Sequence, residues 1–349
     1  MIQTYSSTIR RREMDAVLTC MVDEKIGPGE LNQRLIQFAK EFFSVDGAVA
    51  LRSPVIALKY AIQALDLPLD SGIMISALAP CWQYKGIISL GYKPIVLDVA
   101  PETALVTLEN VEEGIRQGGR LLILSGTLGN IYDIAPFLEL GVPIIEDVSQ
   151  NVGAFYEFPQ EEGESKKKMA GSNGVFSIMG LEENDLITGG GGAVLMAPDR
   201  REWIVLKRLV DSACRTDILP DLNSALAFVQ LKEFTRNQQR RQELFAAFQK
   251  SLMSSRHKTF IRNQNGLASV YTFPVVLNSG FKDVKQYAAK KGIEIQPTFT
   301  DSVVDYLQDD LEGCINSKSL LLRCASFPLY PRLGNTQSTL IIKVLGTLP

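Results

Sequence analysis

From residue 72 to residue 196, short runs rich in Ile, Val and Leu alternate with stretches whose apolar residues recur at helical spacing. Residues 72–78 (GIMISAL), 94–99 (PIVLDV), 120–125 (RLLILS), 142–146 (VPIIE), 174–178 and 192–196 read as six strands. The clearest of them are apolar at consecutive rather than alternate positions, so both faces of each strand need cover. Helical patterns separate them after Ser53 through Leu65 and over 86–90, 107–115 and 134–140. Strand, helix and strand in repetition specify an α/β fold, a mostly parallel sheet with helices on both faces.

Flanking segments extend this plan. The first 45 residues read as helix, turn, helix: Gly27-Pro28-Gly29 makes the break, and Leu31, Leu35, Phe38 and Phe42 follow at helical spacing. Two long helical stretches, 200–214 and 222–252, come after the strands, and the second leads into a smaller α+β unit. That unit carries a strand at 270–277 (VYTFPVVL), a helix at 284–291, a short strand at 293–295 and a last helix at 340–345. The expected division is a large domain over residues 1–235 and a small one over 236–349. The polar stretch 158–172 reads as a mobile loop. Its Lys166-Lys167-Lys168 run follows Glu161, Glu162 and Glu164, as a solvated loop of mixed sign does.

Charge and cysteine usage exclude several classes. A net charge of -3 gives no footprint for nucleic acid. The five cysteines are odd in number and scattered without a CxxC pair, which fits free thiols in a reducing compartment and no zinc site. The N-terminal residues are charged where a signal peptide is apolar, and no apolar run approaches the roughly 20 residues that span a bilayer. A cytoplasmic protein without membrane association is expected.

Residues 141–154 (GVPIIEDVSQNVGA) resemble a strand-end pattern close to IEDAAQAHGA, found in DegT/DnrJ-type sugar aminotransferases. The likeness continues upstream in GYKPIVLDVAPETALVTLENVEEGI and downstream in FSIMGLEENDLITGGGGAV, which is similar to FSFHPTKNLTTGEGGAV. QRRQELFAAFQKSL (239–252) and FPLYP (327–331) resemble later landmarks, so the likeness runs along the whole chain. It implies a fold-type I pyridoxal-phosphate (PLP) transferase architecture: a mostly parallel seven-stranded sheet plus a smaller C-terminal α+β domain. It also implies a homodimer, because active sites of this family lie between subunits. By position it assigns Asp147 to the pyridine nitrogen of PLP, Gln150 to the ring hydroxyl, Ser177 and Ser53 to the neighbourhood of the phosphate, and Trp82 as a substitute for the ring-stacking aromatic, which falls near Pro80.

Other positions depart from the family pattern. The Schiff-base lysine aligns with Asn184, and the neighbouring registers offer Glu182, Glu183 or Asp185; none of these forms an imine or shuttles a proton as an amine does. The family's SGT phosphate cup reads Ser53-Pro54-Val55, and proline has no N–H to offer. The N-x-R segment that reaches the partner's cofactor corresponds to Thr216-Asp217-Ile218. The single histidine, His257, reads as an exposed residue of the second domain, remote from the chemistry. The glycine run 189–192 lacks a GK[ST] ending and sits between strands, as a tight turn does. The expectation is therefore a degenerate homologue of nucleotide-sugar aminotransferases without transaminase activity, with no catalytic residue and no covalently bound cofactor. PLP or PMP (pyridoxamine phosphate) would be a noncovalent ligand at most, and a sugar-nucleotide-like ligand or a regulatory role is open to it. The alternative is a PLP/PMP-dependent sugar aminotransferase or dehydratase of polysaccharide or sugar biosynthesis.

Overall fold

A computed structural model of the chain describes residues 1–159, 165–264 and 266–349. Helices α1 (Arg11–Val22) and α2 (Glu30–Phe43) lead into β1 (Gly47–Leu51) and α3 (Pro54–Ala64). Then follow β2 (Gly72–Ser76), α4 (Cys81–Ser89), β3 (Lys93–Leu97), α5 (Leu108–Arg116), β4 (Gly119–Ser125), α6 (Ala135–Leu138) and β5 (Ile144–Asp147). A hairpin of β6 (Phe155–Pro159) and β7 (Ser165–Met169) precedes β8 (Phe176–Gly180), β9 (Ala193–Ala197) and α7 (Arg200–Asp211). Helices α8 (Asp221–Lys232) and α9 (Phe234–Leu252) carry the chain to β10 (Gly266–Leu267), β11 (Phe273–Val276), α10 (Phe281–Lys290) and β12 (Gln296–Pro297). The chain ends with α11 (Val303–Leu307), α12 (Ile315–Arg323), β13 (Cys324–Phe327) and α13 (Asn335–Leu345).

Seven strands form the main sheet in the order β1-β9-β8-β5-β4-β2-β3. All its pairings are parallel except those of β9 with β8 and with β1. The expected α/β architecture is thus present, and β1 (GAVAL) supplies a strand that the run of six did not include. Its burial is complete, and it pairs antiparallel with β9 from Gly47–Ala197 to Leu51–Ala193. Two apolar layers cover the sheet. One holds Phe43, Met74, Leu122, Val148 and Met196; the other holds Leu58, Ile73, Ile123, Ile145 and Leu195. Adjacent residues of one strand enter opposite layers, which is why these strands are apolar without alternation.

The smaller unit has its own core around a three-stranded sheet, β11-β13-β12, covered by α9, α10 and α13. Phe248 meets Phe273 edge to face with ring centroids 5.4 Å apart, a geometry worth about 0.5–1.5 kcal/mol beyond simple burial. The central strand β13 was not legible as a strand. Ile293 and Ile295 are buried, but the segment pairs differently from expectation: Ile293 bridges to Ile2, and the ladder with β13 begins at Gln296. The helical stretch 222–252 breaks at Glu233, whose carboxylate takes Arg12 and Arg236. The division at residue 235/236 falls in the first turn of α9.

The N-terminal arm straps the two units together. Ile2 donates to Gly292 O (2.7 Å) and accepts from Glu294 N (2.9 Å), while Thr4 binds both the backbone and the carboxylate of Glu294. From there the arm passes Tyr5 and Ser6 and enters α1, which packs on α8 of the larger unit. A second joint lies at Asp98, whose carboxylate caps α12 by accepting Asn316 N, Ser317 N and Ser317 Oγ.

Two expectations are corrected here. The stretch 158–172 is not a loop in its described part: β6 and β7 pair antiparallel from Phe155–Met169 to Pro159–Ser165, and β10 extends that sheet. Lys166-Lys167-Lys168 accordingly lies on a strand, where Lys167 meets Glu157 at 2.9 Å; Glu161, Glu162 and Glu164 lie outside the described residues. His257 is not exposed. It is 3% accessible, accepting Asn278 N on Nδ1 (3.1 Å) and donating Nε2–H to the Pro349 carbonyl (3.0 Å). A solitary histidine in SSRHKTF gave no sign of that clamp.

Candidate active site

Chain order sets where a ligand can sit. β2 leads outward to β3, whereas β4 returns on the other side of β2, so the connections diverge between β2 and β4. At such a point the carboxyl ends of parallel strands leave a crevice. A cleft of about 600 Å³ opens there. Its wall comprises Leu78 and Pro80 after β2, Thr127 and Leu128 after β4, Gln150 after β5, and residues 182–185 after β8. The first turn of α3 (Ser53, Pro54, Val55), Trp82 of α4, Tyr5 of the arm, Tyr271 and the segment 296–302 complete it.

Asp147 ends the central strand β5 and borders a smaller recess shared with Ser125, Gly126, Thr127 and Gln150. Its Oδ1 accepts Ser149 N (3.0 Å) and Ser149 Oγ (2.5 Å), and its Oδ2 accepts Gln83 Nε2 (2.6 Å). Burial raises its pKa, while the bonds from Ser149 and Gln83 counteract that rise. The Gln150 amide is engaged as well: its Oε1 accepts Leu128 N at 2.8 Å and holds the turn after β4. That turn is strained, with Leu128 at φ 57°.

Trp82 is half-buried and lines the cleft while packing against the core of the sheet face beneath α3 and α4. Ser177 is elsewhere. It is fully buried in β8, and its hydroxyl donates to Gly171 O (2.7 Å), so the structure does not bring it to the cleft. Its neighbour in the ladder, Glu146, is a structural carboxylate: it accepts Gly171 N, Asn173 N and Gly174 N at 2.7–2.9 Å and shapes the entry to β8.

Asn184 and its neighbours form the cleft floor. A loop from Leu181 to Gly192 is closed by Leu181 N to Gly192 O, with Gly189 N and Gly191 N both donating to Leu181 O. The return requires Gly190, Gly191 and Gly192 at φ +71°, +126° and +112°, which other residues resist. On this loop Asp185 Oδ2 accepts Glu182 N (2.8 Å). Desolvation pushes the Asp185 carboxyl well above its ordinary range, and the negative charges of Asp147 and Glu182 add to that rise.

The fit of a PLP-type cofactor can be tested group by group. The pyridine end would find the Asp147 carboxylate with Gln150 beside it. The aldehyde end would find Glu182, Glu183, Asn184 and Asp185; among the described residues lining the cleft there is no Lys, Arg or His. For the phosphate, Ser53 caps α3, but its Oγ already accepts Ile56 N (3.2 Å) and Pro54 has no N–H, which leaves Val55 N alone at that helix start. Four carboxylates, Glu182, Glu183, Asp185 and Asp301, line the same space without a cation. The residues present do not fit the group.

The segment Thr216-Asp217-Ile218 is docked on its own chain. Asp217 accepts Tyr60 Oη (2.8 Å) and faces Lys59 (3.8 Å), and Ile218 bridges to Leu51. Residues not singled out in the sequence are Gln83, Tyr5, Tyr271 and Arg241. Arg241 lies on the α9 face that also carries Phe245, Phe248 and Leu252, and that spacing was the available signal.

Comparison with known proteins agrees with this architecture. The putative sugar aminotransferase Spr1654 from Streptococcus pneumoniae, in its PMP form, superposes with a TM-score of 0.85 at 14% identity, over 97% of this chain and 95% of that one. The aminotransferase TlmJ from Streptoalloteichus hindustanus gives 0.85 at 17% identity over 99% and 98%. The E. coli GDP-4-keto-6-deoxy-D-mannose-3-dehydratase with bound hydrated PLP gives 0.84 at 15% identity over 99% of both chains. These likenesses establish the fold. The profile of the DegT/DnrJ/EryC1/StrS aminotransferase family matches residues 7–346, and the chain belongs to that family.

Proposed function

We propose that this chain uses the aminotransferase fold as a binding or regulatory protein of sugar metabolism and does not carry out imine-based transamination. One observation carries the reading: among the described residues the wall of the cleft supplies no amine, and Asn184 stands with three acidic neighbours where the family's lysine is expected. An amide neither attacks a carbonyl nor moves a proton at neutral pH, so neither task of that lysine has a candidate. The cleft retains aromatic surfaces, Trp82, Tyr5, Tyr271 and Phe299, with hydroxyl and amide groups between them. That combination suits a polyhydroxylated, sugar-like ligand.

A homodimer is part of the same proposal. Helix α1 exposes Met14 (50%), Leu18 (54%) and Met21 (57%) at i, i+4, i+7, an apolar stripe that a partner would cover. The described residues contain no helix long and apolar enough to cross a membrane.

The test is direct. Purified protein mixed with PLP is expected to show no imine absorption and, after borohydride, no added mass on any lysine. A reduced PLP–lysine adduct overturns the proposal and identifies the lysine. A second reading, a PLP/PMP-dependent sugar aminotransferase or dehydratase, is favoured by one observation: Asp147, at the end of the central strand, with Gln150 beside it. Saturable binding of PMP without any covalent adduct, followed through Trp82 fluorescence, would support it.

A further inference from the structure

Off the main cleft, beneath the 183–186 loop, is a pouch with free volume of about 20 Å³. Arg241 lines it with Tyr5, Ser6, Asn184, Tyr271 and Tyr330. Arg241 is 8% accessible. Among the described residues its guanidinium has no hydrogen bond and no carboxylate within ion-pairing distance, and its Nε is buried without a partner. The nearby Arg262 is different: it donates to Ser269 O at 2.9 Å and lies 4.1 Å over the ring of Phe245.

A buried cation without a counter-charge is costly, and proteins seldom keep one unless something neutralises it. Burial lowers the pKa of Arg241 to about 10, so it remains charged at neutral pH. Two carboxyls share the pouch: Glu183 is exposed to solvent, and Asp185 is engaged by Glu182 N. Neither closes on the guanidinium. The remaining polar neighbours are the hydroxyls of Tyr5, Ser6, Tyr271 and Tyr330 and the amide of Asn184, all able to donate, beside the apolar Leu186 and Leu329.

We propose that this pouch is a binding site for the carboxylate of a small organic acid whose remaining body, uncharged or cationic, lies in the main cleft. The inference rests on the reading of that cleft as a ligand site. A guanidinium offers a planar fork that matches the two oxygens of a carboxylate. The free volume is that of about one or two waters, so the pouch takes a small terminal group and not a ring. A phosphate monoester fits less well, because a second negative charge would face Glu183 inside the pouch and Glu182 and Asp301 in the cleft. The body of the ligand meets hydroxyls, amides, carboxylates and aromatic rings, which suits a sugar acid.

Calorimetric titration of the full chain with sodium D-glucuronate, D-glucose and glucose 1-phosphate tests this, with acetate as the bare carboxylate. The expected order places glucuronate tightest, with glucose and glucose 1-phosphate each weaker by about tenfold or more. Arg241→Met should weaken glucuronate by about tenfold or more while leaving glucose unchanged, and Arg241→Lys should recover part of the loss. The same Met variant, without ligand, should melt at or above the wild-type temperature, because it removes an unpaired buried charge. Glucuronate binding no tighter than glucose, tighter binding of glucose 1-phosphate, or equal glucuronate affinity in a folded Arg241→Met variant each overturns the proposal. Should that variant not fold, the wild-type order alone decides. A PLP–lysine adduct would refute the functional reading and leave this order of affinities untouched, so the two failures are distinguishable.

Discussion

Gln83 reaches from α4 to the end of the central strand and donates Nε2–H to Asp147 Oδ2 at 2.6 Å and to Ser125 Oγ at 2.9 Å. Its own Oε1 is buried with no partner among the described residues. The amide thus stabilises one charge at the recess and leaves one acceptor unmet. Gln83→Leu should cost about 2 kcal/mol of stability, since it leaves Asp147 Oδ2 without its donor in a buried site. Urea unfolding measures it; a change within error would show that Ser149 alone suffices for Asp147.

Asp185 supplies a pH test. Its carboxyl titrates well above its ordinary value of 3.8 in the fold, first because it is desolvated and then because Asp147 and Glu182 lie near. The folded state therefore holds that proton more tightly than the unfolded chain. The stability this group permits is complete below the ordinary value and declines as pH rises through the folded value. Asp185→Asn removes that decline: it should stabilise the protein at pH 7 by on the order of 1 kcal/mol and have little effect below about pH 4. Thermal melts across that range decide, and a gain of equal size at both ends contradicts the assignment.

His257 makes the opposite prediction. Desolvation lowers its pKa from 6.5, and the ring accepts Asn278 N on one side while donating to Pro349 O on the other, which requires the neutral form. Its contribution is complete above the ordinary value and is lost as pH falls through the folded one. His257→Ala should cost about 1–2 kcal/mol at pH 7.5 and flatten the loss of stability just below pH 6.5. A variant whose acid limb matches the wild type would move that limb to other groups.

Gly192 tests the floor of the cleft. It has φ +112°, and a Cβ there would meet Leu219 Cδ1 at 2.4 Å and Leu51 O at 2.9 Å. Gly192→Ala combines backbone strain with overpacking and should destabilise by about 2–5 kcal/mol. Gly141 is the control: its φ is +72° but nothing lies within 4 Å of the added carbon, so the same change should cost markedly less.

The α1 stripe predicts an assembly. Wild-type protein should sediment as a dimer, and Leu18→Glu, on an exposed position of the stripe, should raise the dissociation constant by about tenfold or more without lowering the melting temperature of the monomer. A wild type that is monomeric at all concentrations refutes the dimer.

The sheet was readable because strand centres buried on both faces are apolar at consecutive positions, as IMI, LLIL and AVLMA are. β13 (CASF) and β1 (GAVAL) escaped because small residues carry little β signal and gain their structure from pairing partners far along the chain. The hairpin β6–β7 was hidden by composition, since SKKKM reads as a charged loop until FYEFP pairs with it. Within the cleft, Asp147, Gln150 and Asn184 were pointed to by the family resemblance, Asn184 by counting back from the glycine run. Arg241 was not, although it shares a helical face with Phe245, Phe248 and Leu252, while Arg240 beside it in QRRQ is only partly buried. Ser177 failed because residue order does not say which way a strand residue points.

The strap formed by the first residues has a mechanical consequence. Ile2 and Thr4 are stitched to the segment 292–294, Tyr5 stands in the cleft wall, and α1 begins six residues further on against α8. Any swing of the small unit would therefore drag an aromatic ring across the ligand space and tug at the helix that carries the apolar stripe, so that occupancy of the cleft and the grip between subunits would be felt through one tether.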